Sequence, residues 1–117
     1  MRWPLRCKRC LMPALELSAL NMPQRHLHTL QDLLATHVPD AQVWAYGSRV
    51  NGGAHEGSDL DIVLRNAVDP SQDVPGWLEL KEALQDSALP ILVDVLVWAR
   101  LPQAFHQNIE AAYVRLQ

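Results

Sequence analysis

The chain has 117 residues, 49% of them apolar and 20% charged, a composition that suits one folded domain and excludes a disordered or collagen-like polymer. Its formal charge is −3, but Arg2, Arg6, Lys8 and Arg9 crowd the first nine residues and leave six cations against thirteen acids in the rest. That acidic body lacks the basic face by which proteins neutralise phosphates, so direct nucleic-acid binding is not expected.

The basic start followed by Leu11 to Leu20 superficially imitates a secretory leader, yet Pro13 and Glu16 interrupt the apolar run and no small-residue cleavage site follows. The longest apolar run, Ile91 to Val97, is broken by Asp94 and falls short of the roughly 18 residues that cross a bilayer. A cytoplasmic protein without membrane association is expected. Cys7 and Cys10 are half a zinc site that only His26 and His28 could complete, and the simpler reading is a basic extension with two reduced thiols. Residues 1–20 are therefore taken as a flexible N-terminal extension and 21–117 as the domain.

Asn21-Met22-Pro23 offers a cap-like residue and a proline suited to a first helical turn, followed by Leu27, Leu30, Leu33, Leu34 and Val38 at helical spacing up to Pro39. Gln42 to Tyr46 reads as a strand that runs into a turn-rich stretch containing Gly47, Gly52, Gly53 and Gly57. Leu60 to Leu64 is a second strand, apolar enough to be central. Trp77, Leu80 and Leu84 recur at helical spacing within Gly76 to Asp86, and Pro90 precedes a third strand, Ile91 to Val97. A helical crossover of that length predicts parallel, adjacent second and third strands with right-handed connectivity. Phe105, Ile109, Tyr113 and Leu116 predict a terminal helix over Pro102 to Leu116. The expected class is α/β (α+β): a small mixed three-stranded sheet with flanking helices. The tryptophans and Phe105 read as core or partner-facing surface, and His26, His28 and His37 as a solvated helix face.

Three acids stand where apolar residues are expected. Asp59 and Asp61 are two apart at a strand start and so leave one face, and Asp94 is the only charge in its strand. Converging carboxylates oppose one another's ionisation, and a divalent cation removes that conflict. Magnesium suits the site because it completes its shell with water and phosphate oxygens, and paired ions serve phosphoryl and nucleotidyl transfer. Upstream, Gly47-Ser48 supplies backbone N–H groups and a hydroxyl at a strand-to-helix turn, a cradle for phosphate, and Gly52 permits close approach. The run from Gly47 to Gly52 imitates a P-loop, but Gly53 and Ala54 replace its Lys and Ser/Thr. An EF-hand fails for want of a third early ligand and a distal Glu. His55 beside Ser58 and Asp59 does not amount to a triad, because adjacency in sequence is not triad geometry. Arg49 is a candidate contact to phosphate or acceptor, or else a solvated loop residue.

Gly-Ser-x-x-x-Gly, then Ser-Asp-x-Asp, then a distant Asp on an apolar strand resembles the DNA polymerase beta-like nucleotidyltransferases, and the short chain is similar to their minimal (MNT) branch. The resemblance runs from about Pro23 through Val97, and the basic extension has no counterpart in it. It implies magnesium-dependent transfer of AMP from ATP to an acceptor. In the minimal branch the protein is an antitoxin that modifies a tyrosine of a HEPN-domain ribonuclease toxin, so a hetero-oligomer is implied. Carried over by position, Gly47, Ser48, Gly52 and Ser58 would hold the triphosphate, and Asp59, Asp61 and Asp94 the metals. Asp94 would also help to deprotonate the acceptor hydroxyl. The rival expectations are a catalytically idle antitoxin that neutralises by binding, and a transferase acting on a small molecule or an RNA end.

Overall fold

The computed structural model describes residues 14–52 and 58–117, so the Cys7/Cys10 pair, the basic start, Gly53, Gly57 and His55 lie outside the described residues. In chain order the elements are β1 (Ala14–Leu15), a 3-10 turn (Leu17–Ala19), α1 (Gln24–His37), β2 (Ala41–Tyr46) and α2 (Ser48–Asn51). There follow β3 (Leu60–Asn66), α3 (Trp77–Gln85), β4 (Val93–Val97), a second 3-10 turn (Trp98–Arg100), α4 (Gln103–Ala111) and β5 (Tyr113–Arg115).

Helix α1 buries Leu27, Leu30 and Leu34 and stops at Val38, whose φ of −135° and ψ of 58° leave the helical region that Pro39 disfavours in its predecessor. Pro23, not Asn21, is its cap, and the Pro23 carbonyl accepts from the N–H groups of His26 and Leu27. Leu30 is fully buried, so Leu30→Ala should cost about 2–5 kcal/mol.

The sheet order is β1-β5-β2-β3-β4. Strands β2 and β3 are antiparallel, registered from Ala41↔Asn66 to Tyr46↔Asp61. Strands β3 and β4 are parallel neighbours, Leu60↔Val93 to Leu64↔Val97, as the intervening crossover through α3 predicts. Alternation along the strands splits the core in two. Leu60, Ile62 and Leu64 join Val43, Ala45, Val95 and Val97 beneath α1 and α3, while Trp44, Val63 and Trp98 pack with Ile109 of α4 on the other face.

The expected three-stranded sheet is corrected to five strands among the described residues, because two short ones, β1 and β5, extend it beyond β2. The expected terminal helix over Pro102 to Leu116 is corrected with it. The helix ends at Ala111, and Ala112 turns extended, with φ −163° and ψ 120°. Tyr113 then stacks on Trp44 with centroids 4.1 Å apart, and Val114 is fully buried opposite Ala45. An aromatic and a β-branched residue gain more against the open flank of β2 than in another helical turn.

Candidate active site

Strand β2 ends at Tyr46, and the chain turns at Gly47 into the single turn α2. Gly47 has φ 81° and ψ −154°, a region that is essentially glycine's alone, and its carbonyl accepts from the Val50 N–H at 3.0 Å. A Cβ at this position would fall 2.5 Å from Asp61 Oδ2, so the missing side chain also lets the turn lie against the carboxylate. Ser48 opens α2 and is half-buried, and Gly52 closes it in the left-handed region at φ 92°.

Asp61 is registered opposite Tyr46 on one side and Asp94 on the other, which puts the three side chains in a row on one sheet face. Asp61 is half-buried, and Asp94 is exposed on the last strand of the sheet. Asp59 precedes β3, which begins at Leu60; it is exposed and lines, with Asp94, Lys81, Pro90 and Leu92, a cleft of about 370 Å³. Burial, then the charges of Asp94 and Asp59, raise the Asp61 carboxyl above the ordinary range. Tyr46 was not anticipated as part of this site. Burial, then Asp61 and Asp94, push its phenol well above the usual value, and its ring stands edge-on to Phe105 at 6.0 Å. Only the register of β2 on β3 could have revealed its position.

The reading of Arg49 as a solvated loop residue is replaced. The side chain is 5% exposed; its Nε donates to the Ser58 carbonyl at 3.0 Å and its Nη1 to the Asn21 carbonyl at 2.7 Å. Ser58, half-buried, thus meets α2 through its backbone and leads directly into Asp59.

Among the described residues no three His, Cys, Asp or Glu side chains are drawn together closely enough to enclose an ion. The acids nevertheless fit magnesium. Burial and the neighbouring Asp94 and Asp59 oppose ionisation of Asp61, a conflict that a cation relieves, and magnesium needs only one or two carboxylates when water and phosphate oxygens fill the other positions. The Gly47-Ser48 turn thus lies against a strand-borne pair of carboxylates, Asp61 and Asp94.

Residues 27–116 match the nucleotidyltransferase domain family, and the chain belongs to it and is a nucleotidyltransferase. It is 38% identical over 98 residues to the probable protein adenylyltransferase MntA of Haemophilus influenzae, covering 84% of each chain. A toxin–antitoxin crystal structure with AMP-PNP superposes with a TM-score of 0.63 at 22% identity, covering 78% of this chain and 72% of that one. The MntA-HepT toxin–antitoxin structure gives 0.58 at 19%, covering 81% and 72%; at these identities both likenesses speak to the fold. No helix among the described residues is long and apolar enough to cross a membrane.

Proposed function

We propose that this nucleotidyltransferase is a cytoplasmic protein adenylyltransferase and antitoxin, which uses Mg2+ to move AMP from ATP to a hydroxyl, foremost a tyrosine, of a HEPN-domain toxin with which it assembles. The observation that carries the reading is the Asp61–Asp94 pair, face to face across β3 and β4, with the Gly47 turn against Asp61. The name of the 38% identical relative supports the AMP transfer, and the toxin–antitoxin structures that share the fold support the partner.

In this reading Asp59, Asp61 and Asp94 hold Mg2+, which neutralises the acids and polarises the phosphates when bound. The amides of the Gly47 turn and the Ser48 hydroxyl receive triphosphate oxygens, with Gly52 and Ser58 flanking them. Asp94, exposed on the outermost strand, meets the acceptor hydroxyl and takes its proton. The acceptor oxygen then bonds to the α-phosphorus as the bond to pyrophosphate breaks in line with it. A transferase for RNA ends would call for a basic surface, whereas this body is acidic.

Calorimetric titration with ATP tests the site. Binding should require Mg2+ in the wild type, vanish in Asp61→Asn and weaken about ten- to a hundredfold in Ser48→Ala, the worth of one charge-assisted hydrogen bond. Equal binding by all three proteins would remove the acids and Ser48 from the site.

A further inference from the structure

We infer that Arg49 is the positioning residue of this site: its guanidinium ties the Gly47-Ser48 turn to the segment that carries Asp59 into β3 and to the segment entering α1. The inference rests on the nucleotide-binding reading of the turn. Among the described residues Arg49 is the one charged or polar side chain that is buried. Its Nε donates to the Ser58 carbonyl at 3.0 Å, its Nη1 to the Asn21 carbonyl at 2.7 Å, and the Asn21 N–H donates back to the Arg49 carbonyl at 2.7 Å. Ser48 is its neighbour in the chain, and Ser58 is the neighbour of Asp59.

One side chain therefore spans the two halves of the site. A buried guanidinium is tolerated only where its N–H groups are paired, and the Ser58 and Asn21 carbonyls accept from two of its donors here. The planar fork fixes the directions of its donors, so Ser58 and Asn21 are held at set angles to α2. An ammonium on a flexible stem would keep the charge and lose that geometry. Arg49 thus acts through Ser48 and Asp59, setting the spacing between the phosphate cradle and the first acid of Ser-Asp-x-Asp.

The test uses Arg49→Lys and Arg49→Gln, with Arg65→Lys as the control. Arg65 lies towards the other end of β3, half-buried over the Trp44 and Trp98 rings at 5.1 and 5.2 Å, and has no part in the site. Amide exchange is followed at Asn21, whose N–H bonds Arg49, and at Leu60, whose N–H bonds the Leu92 carbonyl. ATP affinity with Mg2+ is read by calorimetry. Arg49→Lys is expected to speed exchange at both amides and to weaken ATP binding at least tenfold, whereas Arg65→Lys lowers the melting temperature with affinity unchanged. Arg49→Gln gives the same readout should the lysine variant fail to fold. Wild-type exchange and affinity in the folded Arg49 variants would overturn the inference, and so would an equal loss of affinity in Arg65→Lys. Faster exchange in a protein whose wild type binds no ATP would uphold the tie and overturn the nucleotide reading instead.

Discussion

Gly47 carries two constraints at once, a backbone angle that other residues avoid and a contact with Asp61 that leaves no room for a Cβ. Gly47→Ala should therefore cost about 1–3 kcal/mol in strain and displace the Asp61 carboxylate. Thermal melts should show the first effect and loss of nucleotide binding the second. Asp61 makes a separate prediction through pH. Its carboxyl is raised above 3.8 in the folded protein, chiefly by burial and then by Asp94 and Asp59. Above the unfolded value the folded state holds this proton more tightly, so metal-free stability falls as pH rises through the raised value. Melts in chelator should find Asp61→Asn more stable than the wild type at neutral pH, with the gap closing towards about pH 4. A constant gap would assign the difference to packing. Asp61 and Asp94 were conspicuous as charges in apolar strands, and Asp59 by its place in Ser-Asp-x-Asp just before β3. Arg49 and Tyr46 were not, since the burial of Arg49 depends on carbonyls 28 and 9 residues away and the place of Tyr46 on strand register.

The parallel pairing of β3 and β4 brings together acids 33 positions apart, and it followed from the length of the crossover and the apolar runs on either side. The same pattern reading located α1, β2 and α3 to within a residue or two, because the two helices are periodic and Pro39 and Gly47 bracket the strand. It failed at the C-terminus. Ile109, Tyr113 and Leu116 fit a helical stripe, but the open flank of β2 and the Trp44 ring capture Tyr113 and Val114 into β5. Such non-local pairing leaves no trace in a short window. Tyr113→Ala should accordingly lower stability by about 1–3 kcal/mol in denaturant melts, through lost burial and lost stacking on Trp44. Continued helix beyond Ala111 in that region, seen as an unprotected amide at Ala45 beside a still protected one at Val114, would contradict the strand.

At the scale of the whole molecule, the acidic body sets which partners are favoured. Beyond the first nine residues six cations face thirteen acids, so a basic partner is drawn in by charge, and complex formation should slow as salt rises while dissociation changes less. Stopped-flow association at two ionic strengths checks this, and an unchanged on-rate would point to apolar docking alone. The sheet leaves Asp94 exposed on its outermost strand, where a hydroxyl carried by another protein can approach. In the proposed function this site uses Asp94 to place AMP on such a hydroxyl. The most direct test is intact-mass and peptide mass spectrometry of the toxin co-expressed with wild type or Asp94→Asn. AMP is expected on a tyrosine, or on a serine or threonine, with the wild type, and an unmodified toxin with the variant. A toxin that stays unmodified yet is neutralised equally by both proteins would contradict it and leave binding as the whole of the antitoxin's action.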